Sequence, residues 1–200
     1  MKAIPPVQSL VIIGGPSGAG KTTLSDRLIA GMVPGFDFPL PQPAMRTDAR
    51  SLHRKDIPGG SLIVEFATGR LADAEARAKC LAEIDRLVDR AEQTLILTYM
   101  ISKGDLIRQY VGRLPEERLR RTPEALRYLR FGKIRRVLGY ALSGGIERGY
   151  RGWAEIISVL EGRPGLRFGT VTSAFGQKGC YVFSDPKIRS RNIRFLDFEC

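Results

Sequence analysis

The sequence SLVIIGGPSGAGKTTLSDRLIA, residues 9–30, carries the strongest indication of the fold. Its first part is a short β-branched apolar run from Leu10 to Ile13, which is typical of a buried parallel strand. A glycine-rich loop follows directly, and Leu24, Leu28 and Ile29 then recur at helical spacing. A strand, a tight loop and a helix in this order predict an α/β fold.

The loop has the spacing of a phosphate-binding site, because Gly15 to Thr22 fits G-x-x-x-x-G-K-[ST] in full. Glycines allow backbone N–H groups to curl around a phosphate, and the following helix points its positive end at the same anion. Lys21 supplies a charge to the terminal phosphates, and Thr22 offers a hydroxyl to Mg²⁺. We therefore expect a nucleotide to contact Gly15, Pro16, Ser17, Gly18, Ala19, Gly20, Lys21, Thr22 and Thr23.

The string GPSGAGKTT, residues 15–23, resembles the Walker A loop of the P-loop nucleotide kinases, the guanylate-kinase type in particular. The close match covers about a dozen residues. The resemblance implies a three-layer α/β/α P-loop fold with a mainly parallel sheet, a helical Arg-rich lid, and binding of ATP and Mg²⁺. Residues 1–200 would then form a single P-loop domain, with 101–145 as the lid subdomain.

Residues 33–60 are rich in Pro, Gly and polar residues and are expected to form an extended excursion. Within it, Arg46, Thr47 and Arg50 resemble a loose version of the Thr-Thr-Arg-x-x-Arg stretch with which guanylate kinases hold the acceptor phosphate. The tyrosines and the acid that would read guanine are not recognisable after it, so a different acceptor is expected. Arg46, Asp48 and Arg50 are the candidates for binding it, and a plain surface loop is the alternative.

The run 61–67 predicts a second strand that carries an acid, Glu65, near its carboxyl end. Open α/β sheets bind ligands outside the carboxyl ends of their strands, so Glu65 is expected beside the loop as a base or a magnesium-steering group. Thr68 and Arg70 add a donor and a cation nearby. The next strand, 94–100, lacks the terminal Asp of a motor ATPase, and Glu65, Asp48 or Asp56 would have to replace it.

Positive charge is concentrated in residues 101–136, which hold eleven Lys or Arg residues against four acids in a chain of net charge +11. Such a block requires an anionic partner or lies on a solvated helix face. The resemblance to P-loop kinases implies lid arginines that close on the transferred phosphate, where planar guanidinium groups meet the developing charge. Arg113 is the first catalytic candidate, followed by Arg118, Arg120 and Arg121.

Apolar periodicity predicts further elements around these segments. They are helices over 71–91, 122–141 and 150–160, and strands over 166–172, 180–183 and 192–198. The covering helix 71–91 is expected to bury Leu71, Ala74, Ala78, Leu81, Ile84, Val88 and Ala91. Tyr150 and Trp153 are expected in the core and not as a base-stacking platform.

Composition excludes several other classes of protein. Hydrophobic residues make up 43% and charged residues 26%, which excludes wholesale disorder. No apolar run approaches the length of a membrane span, and neither a signal peptide nor membrane binding is expected. One histidine and three widely spaced cysteines argue against a Ser-His triad, a zinc site or a disulfide framework, and favour reduced thiols in the cytoplasm.

Three hypotheses follow. The favoured one is a kinase-like phosphotransferase that moves the γ-phosphate of ATP to a small anionic or hydroxyl-bearing acceptor, with Lys21, Glu65 and Arg113 as catalytic residues and Thr22 as the metal ligand. A sulfotransferase-like enzyme is an alternative, although the intact Thr22 argues against it. The third is a nucleotide-gated module that binds nucleic acid, which the few interleaved aromatics disfavour. The acceptor and the oligomeric state cannot be read from the sequence.

Overall fold

The apolar run that precedes the glycine-rich loop forms an inner strand of a six-stranded sheet in the computed structural model, which describes residues 6–52, 57, 59–112, 135, 138–173 and 181–184. The strands are β1 (Val7–Gly15), β2 (Ala44–Asp48), β3 (Ser61–Ala67), β4 (Ala91–Met100), β5 (Leu166–Ser173) and β6 (Tyr181–Ser184). The helices are α1 (Lys21–Ile29), α2 (Ala74–Val88), α3 (Lys103–Gly112) and α4 (Gly145–Leu160), with a 3₁₀ turn at Thr68–Arg70.

The strand order is β2-β3-β1-β4-β5-β6, and every neighbouring pair is parallel except β5 and β6. In this register Ile13 of β1 lies opposite Glu65 of β3 on one side and Leu97 of β4 on the other. The carboxyl ends of five strands therefore meet at one edge of the sheet, where the glycine-rich loop begins. The predicted mainly parallel sheet is confirmed.

Alternating residues of the central strands supply two separate cores, one on each face of the sheet. Leu10 and Ile12 of β1 pack in the core that α2 covers through Ile84 and Leu87. Val11 and Ile13 belong to the opposite core, where α1 contributes Leu24 and Leu28. Burial on both faces explains why β1 is a continuous apolar run without polar alternation. The predicted three-layer α/β/α architecture is confirmed.

Helix α4 attaches to the carboxyl end of β4 through two buried aromatic residues. Trp153 Nε1 donates to Thr98 Oγ1 at 3.0 Å. The Tyr150 hydroxyl donates to Tyr99 O at 2.7 Å and accepts from Ile101 N at 3.1 Å. Burial raises the pKa of Tyr150, so its hydroxyl keeps the proton that it donates. Both rings are core residues, as expected from the sequence.

Two expectations about local structure are wrong. The Pro-rich segment 33–60 is not one continuous excursion, because β2 lies inside it as the edge strand beside β3. Helix α2 is shorter than 71–91, since Asp73 caps its first turn by accepting from Ala76 N at 2.8 Å. Its buried face is different too, because Ala74 and Ala78 are exposed whereas Leu87 is buried. Ala91, placed in that helix by the sequence pattern, begins β4.

Several predicted segments lie outside the described residues. They are most of the helix over 122–141, of which 135 and 138–141 are described and helical, the strand over 192–198, and Arg113 with Arg118, Arg120 and Arg121. The Arg-rich lid therefore remains a prediction. In the part of the chain that the structure describes, every helix is too short or too polar to cross a bilayer.

Candidate active site

The loop between β1 and α1 turns tightly enough to expose its backbone N–H groups because two of its glycines have left-handed backbone conformations. Gly18 has φ 83° and Gly20 has φ 104°, values that a side chain would strain. Gly20 is also the N-cap of α1 and provides no side chain to cap the helix. The amino end of α1 is thus left open toward the space in front of the loop, as anion binding requires.

Lys21 is the first residue of α1, and its side chain folds back onto the start of the loop. Its side chain is buried, and Nζ donates to Gly15 O and Pro16 O, each at 2.8 Å. Burial lowers the pKa of Lys21 to about 8, although the negative charge of Glu65 opposes the shift. The ammonium group is consequently short of a compensating anion, which the phosphates of a nucleotide would supply.

Thr22 and Glu65 are joined across the sheet edge. Glu65 lies near the carboxyl end of β3, opposite Ile13, and its Oε2 accepts a hydrogen bond from Thr22 Oγ1 at 2.9 Å. The other carboxylate oxygen, Oε1, is buried and has no hydrogen-bond partner among the described residues. A buried carboxylate oxygen without a donor is costly, so this atom is suited to a cation or a hydroxyl group.

A cavity of about 840 Å³ opens in front of this pair. The loop, the ends of β2 and β3, and the first half of α2 form its walls. Its charged lining consists of Lys21, Asp48, Arg50, Glu65, Arg70, Lys79 and Glu83. The volume lies within the range of small-molecule sites, and the lining is unusually rich in charge for a pocket of that size.

The three residues proposed from the sequence for acceptor binding have different environments. Arg46 forms an ion pair with Asp26 of α1 and is not among the residues that line the cavity. Asp48 lines it but accepts hydrogen bonds from Arg50 N and from Ser51, so its carboxylate stabilises a turn. Burial alone would raise the pKa of Asp48, but these hydrogen bonds and the Arg50 charge lower it. Arg50 lines the cavity with an exposed side chain.

Two residues near the loop were missed by the sequence analysis. Lys79 of α2 lines the cavity and pairs with Glu75 at 2.5 Å, a contact that its i,i+4 spacing could have suggested. Gln109 of α3 reaches the loop, where its amide, assigned with the nitrogen toward the loop, donates to Gly18 O at 2.8 Å and to Ala19 O at 3.1 Å. In the sequence, Gln109 could have been found from its position three residues after Leu106, which is buried and lies on the same face of the helix.

Comparison with known proteins establishes the fold and little more. No protein-family model matches the sequence, and no curated protein is significantly similar to it. Polyphosphate kinase 2 from Arthrobacter aurescens TC1 has a similar structure, with a TM-score of 0.51 at 14% identity over 82% of this chain and 61% of that one. A protein of the PezAT toxin–antitoxin system of Streptococcus pneumoniae gives a TM-score of 0.38 at 13% identity over 91% of this chain and 73% of that one, too low to support an argument.

The chain spans about 61% of the polyphosphate kinase chain that it matches. At this level of identity the likeness concerns the α/β fold alone. The phosphate-loop sequence, the strand order and this likeness agree on the P-loop architecture.

Proposed function

We propose that the protein is an ATP-binding P-loop phosphotransferase that transfers the γ-phosphate to a small acceptor. The observation that carries the proposal is the hydrogen bond from Thr22 to Glu65, at the junction of a complete phosphate-binding loop and a charged cavity. A structural glycine turn would need neither a buried lysine nor a carboxylate beside the threonine hydroxyl. The finer likeness to guanylate kinases rests on the loop sequence alone.

On the nucleotide side, the loop N–H groups and the Lys21 ammonium bind the phosphates. The Thr22 hydroxyl is a hard oxygen donor whose proton goes to Glu65 Oε2, so its oxygen fits Mg²⁺, while the unpartnered Oε1 of Glu65 is left for the acceptor hydroxyl. When bound, Mg²⁺ supplies charge neutralisation of the phosphate oxygens. Lys21 meets the charge that develops on the transferred group.

On the acceptor side, Arg50 and Arg70 line the cavity, and like Lys21 in the loop they have no side-chain ion pair among the described residues. Guanidinium groups bind phosphate and carboxylate in a planar fork, so an anionic acceptor that carries a hydroxyl fits the cavity best. The acceptor oxygen bonds to the γ-phosphorus while the bond to the β–γ bridging oxygen breaks, and ADP leaves. Glu65 accepts the hydroxyl proton.

Thermal melting of the wild type and two lysine variants tests the nucleotide half of the proposal. At a hundredfold excess over its dissociation constant, Mg·ATP should raise the melting temperature of the wild type by about 5–10 °C. Lys21→Met keeps the length of the buried side chain and should abolish the increase. Lys103→Ala removes an ammonium group that does not line the cavity and should retain it.

Glu65→Gln tests the transfer itself. The amide keeps the shape of the carboxylate but cannot take a proton, so Mg·ATP should still bind while acceptor-dependent ADP formation falls about 10²- to 10⁴-fold. The acceptor screen uses phosphorylated and carboxylated small molecules. Binding of ATP without turnover on any of them would favour the nucleotide-gated module, for which ATP is a ligand and not a substrate. A melting shift confined to 3′-phosphoadenosine 5′-phosphosulfate would favour a sulfotransferase.

A further inference from the structure

Gln109 links helix α3 to the outer side of the phosphate-binding loop. Its side-chain amide lies against the carbonyl oxygens of Gly18 and Ala19, and the amide is assigned with its nitrogen toward them, since it then donates to both, at 2.8 and 3.1 Å. The amide also lies close to Gly20, where a Cβ atom would come within 3.9 Å of it and within 3.2 Å of the Tyr99 hydroxyl. One side chain thus contacts two consecutive residues of the loop and lies beside the third.

These contacts bear directly on anion binding because each peptide unit is planar. The Gly18 carbonyl shares its plane with Ala19 N–H, and the Ala19 carbonyl shares its plane with Gly20 N–H, pointing in the opposite direction. A donor that fixes the direction of a carbonyl group therefore also fixes the direction of the N–H group in the same peptide unit. Ala19 N–H makes a long bond to Pro16 O at 3.3 Å, while Gly20 N–H has no acceptor in the described part of the chain.

The helix that carries Gln109 is itself firmly held. Ser102 caps its first turn, donating to Asp105 Oδ2 at 2.7 Å and accepting from Asp105 N at 3.0 Å. Leu106 is buried one turn before Gln109. The residue before the cap, Ile101, donates its backbone N–H to Tyr150 of α4. Gln109 therefore reaches the loop from a fixed support, and the chain beyond α3 enters the arginine-rich sequence.

We propose that Gln109 is a positioning residue that holds the Gly18 and Ala19 carbonyls outward, so that Gly20 N–H stays directed at the nucleotide phosphate. This inference rests on the proposed nucleotide binding at the loop. Through the same hydrogen bonds, Gln109 connects the loop to α3, the helix at the start of the arginine-rich segment 101–136. Its contribution is to ground-state binding of the nucleotide, in contrast to that of Glu65, which acts in the transfer step.

The ligand-free protein provides the first test. In Gln109→Ala, loss of the donor should move the carbonyl carbon resonances of Gly18 and Ala19 upfield and shift the Gly20 amide. Gln8→Ala, which removes an exposed glutamine from β1, should leave all three resonances unchanged. A folded Gln109→Ala protein whose loop carbonyl resonances match those of the wild type would overturn the inference, whether or not ATP binds.

Nucleotide affinity and kinetics provide the second test. Loss of a hydrogen bond of ordinary strength should raise the dissociation constant of Mg·ATP, and the KM for ATP, about tenfold with kcat nearly unchanged. Gln109→Glu has the same shape but places an acceptor against two carbonyls, so its affinity should fall further. A dissociation constant within twofold of the wild type for both variants would overturn the inference. Failure of the wild type to bind ATP would instead refute the proposed function. The carbonyl resonances of the ligand-free protein would then decide whether Gln109 positions the loop.

Discussion

At the scale of single residues, the loop combines a buried cation with a partly satisfied carboxylate. Lys21 loses hydration on burial, and Glu65 compensates for only part of that loss because its charge opposes the shift without reversing it. Glu65 in turn has one oxygen bonded to Thr22 and one buried without a partner. A bound phosphate would compensate the Lys21 charge and an acceptor hydroxyl would donate to Glu65, which explains why two costly groups are kept side by side.

The lowered pKa of Lys21 predicts how nucleotide affinity depends on pH. A phosphate beside the ammonium raises its pKa in the complex, so binding takes up a proton whenever free Lys21 is neutral. Affinity for Mg·ATP should therefore be full below the free pKa of about 8 and fall above it, by up to tenfold per pH unit. This range lies above the phosphate pKa of about 6, so the triphosphate itself contributes little.

Calorimetry between pH 7 and 9.5 in buffers of different ionisation enthalpy measures both the affinity and the proton uptake. Lys103→Ala should keep the slope of the wild type, while Lys21→Met should bind weakly and with no slope. A constant affinity over this range in the wild type would show that the pKa of Lys21 is not lowered in the free protein.

The nucleotide side of the candidate site could be predicted from the sequence because it is local. Lys21 and Thr22 lie within one motif, and parallel pairing brings Glu65 beside them. The acceptor side depends on contacts that spacing does not reveal. Arg46 pairs with Asp26, twenty residues earlier in the chain, and Gln109 reaches the loop from a distant helix. The sequence does not show which side chains are already engaged elsewhere.

At the scale of elements, the bounds of buried strands were predicted well, whereas the edge strand and the buried face of the amphipathic helix were predicted poorly. β3 has the predicted bounds because a sheet covered on both faces selects an unbroken apolar run. β2 was missed because an edge strand that reads Ala-Met-Arg-Thr-Asp carries little apolar signal. In α2, exposed alanines at helical spacing imitate a buried face, since alanine favours helix on either side.

The packing of α4 against β1 gives a prediction at this scale. A Cβ atom at Gly14 would lie 2.2 Å from Trp153 Cε2, inside the ring's contact distance. Gly14→Ala should therefore lower the free energy of unfolding by about 1–3 kcal/mol, the typical cost of overpacking a core. Gly139→Ala is the matched control, because no atom lies within 4 Å of its Cβ, and alanine should stabilise that helical position by up to about 1 kcal/mol.

Urea unfolding followed by tryptophan fluorescence measures both variants. Trp153 is the sole tryptophan of the sequence, so its emission also reports the displaced ring directly. An unfolding free energy and an emission maximum unchanged in Gly14→Ala would contradict the packing of α4 against β1.

At the scale of the whole molecule, the fold and the charge have different roles. The two cores on either face of the sheet fix the strand ends at one edge, and the three-layer α/β/α architecture follows from that arrangement. The net charge of +11 does not specify the fold. It governs association with polyanions, and it is the feature that kept a nucleic-acid-binding module among the hypotheses.

The kinase proposal predicts that nucleic acid binds to the protein without taking part in phosphate transfer. A basic protein should bind a 20-nucleotide RNA without sequence preference, with affinity falling steeply as salt rises through counterion release. At 150 mM salt the RNA should not accelerate ADP formation, and heparin should displace it without changing ATP binding in the loop. Filter binding across a salt series, together with ADP release with and without RNA, measures these effects. RNA-stimulated ATP hydrolysis that Lys21→Met abolishes would instead favour the nucleotide-gated module. Hydrolysis of ATP would then be coupled to binding of the polyanion and not to phosphate transfer to a small acceptor.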